Sequence, residues 1–515
     1  MRTLRQRLIA ALAACALAAP ALAQEARPAL TIAVQDVPRS LDPLTQFGNV
    51  DWRGYANIFD GLLTMDFAGD FRPLPALAES WRRIDGRTLE LTLRRDVTFH
   101  DGSRLTAEDI AFTFGPERMR NQGAPGYAVG RIFFGTFADI EVVDAQTVRI
   151  VTSQDDPLIE QRLGTIPGGV VGLQAFRAAP NFAAWNQRAI GTGPYRVQSY
   201  RAGNDLVLVA HDSWWGGRPP AQRLRFWAVP EVGSRVAALR SGEVQIATDI
   251  PPDQFPVVAA DPRLEIVGGG VANHRVLSYN TRNPALRDPR VREALNLAID
   301  RGAITRALWD DRLPVTRSHQ FPAYRDLFLA DWPMPRFDPA AARRLLAEAG
   351  YRGERITYNV LSNYYTNELA TAQVLVEMWR AVGLNVVLEV RENYSQIVND
   401  PAHGIRNWSN TMTLPDPVGS LWRLYGPRGP VQGSYREWVN DAFNRDGAIL
   451  ESSTDTAARQ AAWRRMLTVY DRTDSPGTVL HQFGLFYGKR RDVAWQPLPV
   501  EWMDFRPAFL RTAAR

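Results

Sequence analysis

The side chains best suited to proton transfer or metal binding near neutral pH are six histidines: His100, His211, His274, His319, His403 and His481. No two stand at a metal-ligand spacing, so each reads as a packed or surface residue. Adjacent carboxylates occur at Asp155-Asp156 and Asp310-Asp311. On a strand such neighbours point to opposite faces, a poor arrangement for an acid and a base sharing one substrate. There is no G-x-S-x-G nucleophile elbow and no H-E-x-x-H zinc helix. Gly484–Lys489 falls one residue short of a phosphate loop, and Gly268-Gly269-Gly270 lacks the dinucleotide spacing. The expectation is a chain with no catalytic residue, no metal site and no cofactor, one that binds rather than reacts.

Residues suited to holding a small polar molecule gather in a few places. Phe47, Asn49 and Trp52 lie in the segment from Pro38 to Arg53. Ser362-Asn363-Tyr364-Tyr365 and Arg391-Glu392-Asn393-Tyr394 form two more groups, and Asn407-Trp408 followed by Asn410–Pro417, with Thr413 and Asp416, forms another. Rings supply flat apolar area, while amides and hydroxyls fix orientation.

The elements that would position them follow from periodicity. Ile356–Leu361 reads as a strand, Thr366–Val382 as a helix ended by Gly383, and Leu384–Val390 as the next strand. A strand, a long crossover and a strand make a parallel pair. In open α/β sheets the ligand sits beyond the carboxyl ends of such strands, which is where two of the groups fall. A third strand near Ile405–Trp408 leads into Asn410–Pro417. Leu30–Val34, Val142–Val151 and Leu206–Ala210 read as strands, as does the alternation of Leu89, Leu91 and Leu93. Thr106, Asp288 and Asp338 read as helix starts, the last two followed by Pro at the first helical position. Val232–Ser241 reads as a helix stopped by Gly242.

The chain begins with Arg2, Arg5 and Arg7, an apolar run over Leu8–Ala19, and Ala21-Leu22-Ala23. That is the pattern of a cleavable export signal over residues 1–23, with cleavage before Gln24. The apolar run is short for a bilayer span, which disfavours a retained anchor. Leu12-Ala13-Ala14-Cys15 resembles a lipidation site, but the apolar stretch continues past Cys15, so soluble export to the periplasm is preferred. Cys15 is the only cysteine, and the mature chain would have none, which excludes disulfides and thiolate chemistry. Loss of Arg2, Arg5 and Arg7 lowers the formal charge from +5 to +2, too little to point to nucleic acid or membrane partners. Lys489 is the only lysine among 60 cationic residues, a compositional bias rather than a functional signal. A chain of 515 residues can hold two to four domains on apolar cores alone.

Several motifs in order resemble one family. They are Leu41-Asp42-Pro43, Ile58–Leu63, Ala76–Trp81, Phe99–Gly102, Leu105–Asp109, Gly191–Tyr195, Trp215–Gly217 and Arg290–Asp300. Together they resemble the peptide/nickel-type (family 5) extracellular solute-binding proteins of bacterial ABC importers. The resemblance implies an α/β fold of the periplasmic-binding-protein type, with two lobes around a hinged cleft and an extra inserted small domain. Lobe I would comprise 24–55, 190–270 and 485–515, the small domain 56–189 and lobe II 271–484. Crossings between lobes would fall near Gly270–His274 and His481–Leu485. The implied partners are a small-molecule ligand and the permease subunits in the inner membrane, with the receptor a monomer and no nucleic acid involved. The expected ligand-binding set, drawn from the polar and aromatic groups above, the crossing and the family alignment, is Phe47, Asn49, Trp52, His274, Asn363, Tyr364, Asn393, Asn407, Trp408, Asn410, Thr413 and Asp416.

One departure bears on the cargo. Many peptide receptors of this family carry Trp-x-x-Asp before an Asp-Pro, and that Asp pairs with the peptide ammonium. Alignment on Asp416-Pro417 puts Asn410 at the Trp position and Thr413 at the Asp position. A buried ammonium without its carboxylate would cost several kcal/mol. The expected cargo is therefore a small polar solute such as an opine, a sugar derivative or a modified amino acid. A di- or oligopeptide receptor, with Asp416 or Glu392 taking the role, is the alternative, and an exported hydrolase is the alternative of another class.

Overall fold

The computed structural model describes residues 27–46, 48–362, 364–400 and 403–511. The expected signal peptide, Cys15, Phe47 and Asn363 lie outside the described residues.

Two long strands, Leu264–Tyr279 and Gly477–Arg490, run antiparallel side by side within a ten-stranded sheet. On one side lie Ile405–Thr411, Ile356–Leu361 and Val386–Arg391, in that order. On the other lie Ile246–Ala247, Ala29–Val34, Arg223–Ala228, Asp205–Ala210 and Tyr195–Arg201. Ile356–Leu361 is parallel to both its neighbours, and so is Ala29–Val34. Each half of the sheet thus has a parallel core of three strands, to which lobe I adds the antiparallel strands Asp205–Ala210 and Tyr195–Arg201, and the two long strands connect the halves. The half with Ala29–Val34 is called lobe I below, and the half with Ile356–Leu361 lobe II.

The expected parallel pair forms, with Val386–Arg391 starting two residues later than its apolar run suggests. Its crossover helix is Glu368–Ala381, which buries Ala372, Leu375 and Trp379. The helix starts late because Asn367 adopts φ 56°, a left-handed conformation that ends the preceding turn. The expected caps are in place. The Asp288 and Asp338 carboxylates accept from the backbone N–H groups of Arg290 and Ala341, and Gly242 ends its helix at φ 85°.

A separate antiparallel sheet orders Ala78–Arg83, Thr88–Leu93, Thr147–Thr152 and Phe137–Val142. Here the expectation of one strand over Val142–Val151 fails. Val142 ends one strand and Thr147 begins the next. The Asp144 carboxylate accepts from the Gln146 N–H at 2.8 Å, an Asx turn that reverses the chain between two apolar runs. The strand reading of Asp310-Asp311 fails too. Both residues sit at left-handed φ, 49° and 54°, just past helix Arg301–Trp309.

The long strands do not pair without interruption. Their register shifts between Gly270 and His274. Before the shift, Gly268 sits at φ 100°, and a Cβ there would lie 2.2 Å from the Leu485 carbonyl oxygen, so the close approach requires glycine. Within the gap, the Ala272 N–H donates to the Pro499 carbonyl at 2.9 Å. The Ala272 carbonyl accepts from the Met412 N–H at 2.8 Å. The backbone of Ala272 at this crossing is therefore tied to the C-terminal segment and to lobe II, while the long partner keeps hold of the Val271 carbonyl only through the Gln482 side chain.

Candidate functional site

Alternation sorts the residues at this crossing. Asn273 lies opposite Thr411, Arg275 opposite Ser409 and Leu277 opposite Asn407, so these six share one face of the sheet. His274 opposite Asn410 and Val276 opposite Trp408 share the other face.

The first face meets lobe I. The Asn49 side-chain amide donates to Ser409 Oγ at 3.3 Å, from the start of helix Asn49–Ile58. The Gln35 side chain donates to the Tyr364 carbonyl at 2.7 Å, and the Tyr364 hydroxyl accepts from the Asn49 backbone N–H. Tyr365 donates to Ser409 Oγ at 3.4 Å, and the Arg275 guanidinium lies over the Tyr365 ring at 3.7 Å. Trp52 lies one turn along from Asn49. Its ring packs edge-on against Phe133 and Trp502, while its buried Nε1 has no hydrogen-bond partner among the described residues. Asn407 is held deeper, donating to Glu368 at 3.0 Å and accepting from Tyr358 at 2.5 Å.

At the end of this face stands a carboxylate with no counterpart in the sequence-derived set. Glu501, fully buried, accepts at Oε1 from the Asn273 amide at 2.5 Å and from the Thr411 hydroxyl at 2.8 Å. Glu501 Oε2 and Asn273 Oδ1 are buried with no partner among the described residues. Burial pushes the Glu501 carboxyl up to about 7, against the lowering effect of these hydrogen bonds and of the Arg423 charge.

The second face points away from the lobe I helix. The His274 ring stacks on Phe321 at 4.0 Å and lies 5.8 Å from His319. Asn410 donates to His319 Nδ1 at 2.9 Å and accepts from Arg423 at 3.2 Å. Trp408 lies under the Arg406 guanidinium at 3.8 Å, and Arg406 forms a buried fork on Glu437. Burial would raise the Glu437 carboxyl, but the Arg406 charge and bonds from His403 and Arg406 hold it down at about 2.

Other predicted residues are occupied locally. Asn393 caps the helix Tyr394–Val398, accepting from the Gln396 N–H at 3.1 Å. The Thr413 hydroxyl donates to the Gly419 carbonyl at 2.9 Å. Asp416 accepts from the Val418 N–H at 2.9 Å and from Arg459 at 2.7 Å. Glu392 is exposed. The structure thus brings Asn49, Trp52 and Tyr364 to the lobe junction, with Asn407 behind them. It sets His274, Trp408 and Asn410 on the opposite face, and spends Asn393, Thr413 and Asp416 on caps and loop bonds.

The sequence reading missed Asn273, Arg275, Ser409, Thr411 and Glu501. Period-two alternation would have separated Asn407, Ser409 and Thr411 from Trp408 and Asn410. Nothing local marks Glu501, which reaches the site only through the C-terminal segment.

The fold also pairs histidines that are far apart in sequence. The His100 and His211 rings meet edge-on at 5.1 Å, and burial lowers both His100 and His274 to about 3. Among the described residues no three metal-ligating side chains come together. A cavity of about 230 Å³ lies elsewhere, lined by Phe59, Phe67, Trp215 and Trp502 among others. Its Asp60 carboxylate is already taken by Trp214, Trp215 and Arg506. That cavity belongs to the packing between lobe I and the hairpin Leu63–Pro75.

Comparison with known proteins adds the following. Residues 72–431 match the family described as bacterial extracellular solute-binding proteins, family 5 Middle. The probable ABC transporter periplasmic-binding protein SapA of Escherichia coli K12 is 26% identical over 444 residues, 79% of this chain and 78% of that one. The dipeptide-binding protein of Pseudoalteromonas sp. SM9913, solved with Met-Leu, superposes with a TM-score of 0.85 at 21% identity, covering 94% of this chain and all of that one. The binding protein AgaA of A. tumefaciens R10, solved with agropinic acid, gives 0.80 at 20% identity, covering 92% of this chain and 95% of that one. The α/β architecture is that of periplasmic binding proteins.

Proposed function

This chain belongs to the bacterial extracellular solute-binding proteins of family 5, receptors of ABC importers, and from that premise we propose that it captures a small polar solute between its lobes in the periplasm. The solute class is that of an opine, a sugar derivative or a modified amino acid, delivered by a monomeric receptor to permease subunits in the inner membrane. No turnover accompanies binding. The domain division given above, with its hinge at the two long strands, is part of the same proposal. The ten-stranded sheet shared by both lobes and the separate four-stranded sheet support it.

The observation that carries the cargo class is the loop from Thr413 to Gly419. Thr413 stands where a peptide receptor's aspartate is expected, and its hydroxyl is already bonded to the Gly419 carbonyl. Asp416 is engaged by Arg459, so it offers no free charge in compensation. Amides, hydroxyls and rings supply the polar contacts between lobes, which suits a hydroxylated or amide-bearing solute. The names of two structural neighbours, one carrying a dipeptide and one an opine-type acid, show how widely this fold is reused for cargo.

No helix among the described residues is long and apolar enough to cross a membrane. The receptor would close by rotating its lobes about the hinge, with the solute favouring the closed state. The test is a thermal-shift screen of the exported form against opines, sugar acids, modified amino acids and Met-Leu. A binder at one hundred times its dissociation constant should stabilise the fold by about 2.7 kcal/mol. A well-folded protein that shifts with none of these classes, that shifts with Met-Leu alone, or that turns any of them over, counts against the reading.

A further inference from the structure

The lobe junction contains a pair of acceptors without donors, and their chemistry narrows the solute. Glu501 and Asn273 are both fully buried. Each already uses one side-chain atom. The Asn273 amide nitrogen and the Thr411 hydroxyl both donate to Glu501 Oε1. That leaves Glu501 Oε2 and Asn273 Oδ1 as two acceptor oxygens on directly bonded residues, neither with a donor among the described residues. Buried polar atoms are nearly always partnered, and an unpartnered one costs free energy, so two on adjoining side chains call for an explanation.

Their place in the fold supplies one. Asn273 lies where the long strand leaves its ladder at the crossing between lobes. Thr411 is the last residue of the neighbouring lobe II strand. Glu501 comes from the C-terminal segment, next to Trp502, whose ring meets Trp52 of the lobe I helix. Trp52 Nε1 and the Tyr487 hydroxyl, both buried, also lack partners among the described residues. Glu501 and Asn273 thus bring an unsatisfied pair of acceptors to the crossing between the lobes, with the Thr411 end of the lobe II strand beside them.

We propose that Glu501 and Asn273 form an acceptor clamp for a nitrogen bearing N–H donors, and that the solute is a nitrogenous cation of the substituted-ammonium class. This rests on the receptor reading above and deepens it. The counter-charge for the solute comes from the C-terminal segment instead of from the loop at Thr413. An ammonium group supplies donors only, which matches two acceptors; a carboxylate or phosphate placed there would meet like charge on Glu501. The clamp also makes recognition pH-sensitive, since Glu501 must be ionised to neutralise the cation. The other charged or titratable groups facing Glu501 are Arg423 and Tyr487. Arg423 is positive throughout the neutral range, so the change in charge there belongs to Glu501.

The test uses the full exported chain and three ammonium-bearing probes, octopine, Met-Leu and glutathione, each beside its N-acetylated form, with gluconate as a probe lacking nitrogen. Affinities are measured by calorimetry at pH 6 and pH 8 for the natural chain and for Glu501→Gln and Asn273→Ala. The expected result is that at least one ammonium probe binds, its acetylated form binds at least about thirtyfold more weakly, and Glu501→Gln causes a similar loss. The natural chain should bind more tightly at pH 8 than at pH 6, and Glu501→Gln should abolish that difference. Two results would overturn the clamp while leaving the receptor reading standing: binding of gluconate or of acetylated probes alone, or an ammonium probe whose affinity is unchanged in Glu501→Gln. If no probe of any kind binds folded protein, both readings fall. Circular dichroism of each variant separates loss of fold from loss of the clamp. If both variants unfold, the acetylated pairs and the pH comparison on the natural chain still decide.

Discussion

Two carboxylates, Glu437 inside lobe II and Glu501 at the lobe junction, are equally inaccessible to water, and their surroundings drive them in opposite directions. Glu437 receives a forked guanidinium from Arg406 and a bond from His403, and it stays ionised far into acid. Arg406 in turn is capped by the Trp408 ring and by the Tyr435 ring at 4.9 Å. Every strong group in that cluster has its partner within the protein. Glu501 receives neutral hydrogen bonds from Thr411, Asn273 and its own backbone N–H and none from a cation, and burial dominates, leaving it at about 7. The difference teaches how to tell structural burial of charge from burial that waits for a partner: the first is closed within one lobe, the second is left open where two lobes meet.

Three substitutions probe this contrast. The largest effect is expected from Glu437→Gln. It strands the fully buried Arg406 without its counter-ion and should destabilise the fold by about 3–5 kcal/mol in urea unfolding. Acid does the same to the natural chain. The stabilisation from the depressed Glu437 carboxyl is present above about 4.5, its unfolded value, and is lost as pH falls towards about 2. An unchanged urea midpoint in this variant would erase the distinction between the two sites.

Glu501→Gln should act with the opposite sign on the unliganded protein. A carboxyl raised to about 7 holds its proton more tightly when folded than when unfolded. Its contribution to stability is full below about 4.5 and is lost as pH rises through about 7. Removing the charge should therefore stabilise the chain at pH 8 by on the order of 2 kcal/mol, with little change at pH 4. A variant less stable at pH 8 would show that Glu501 is as structural as Glu437.

The smallest effect is expected from Thr411→Val. It removes one neutral donor from Oε1, worth about 1 kcal/mol, and should move the pH midpoint of Glu501 upward by less than about one unit. The pH dependence of the unfolding midpoint reads that shift directly. A downward shift would mean that Thr411 does not favour the ionised form.

The legible part of the fold was the part with short-range causes. Asp288-Pro289 and Asp338-Pro339 announced helix starts because a carboxylate two or three residues from a free N–H satisfies it whatever the rest of the chain does. Ile356–Leu361, its crossover helix and the following strand were readable from alternation and from Gly383. The Asx turn at Asp144 was just as local, yet a continuous run of β-formers concealed it. Asn49, Trp52 and Tyr364 were chosen because their residue types suit a binding surface, and they lie at the lobe junction, while Asn393 and Asp416 were chosen on the same grounds and cap helices. Residue type gives a side chain its repertoire; which bond it makes depends on what is packed beside it.

By itself, then, the amino-acid sequence determined the family, the parallel pair of lobe II, the capped helix starts at Asp288 and Asp338 and the absence of an aspartate at Thr413, since each is a matter of residue order within the chain. Only the tertiary structure decided which face of Ile405–Thr411 meets lobe I, that Asp416 belongs to Arg459, and that Glu501 stands beside Asn273, 228 residues away. Those outcomes depend on the register of two long strands and on where the C-terminal segment crosses them. Burial, which sets the charge of a carboxylate, exists only once distant segments have closed over it.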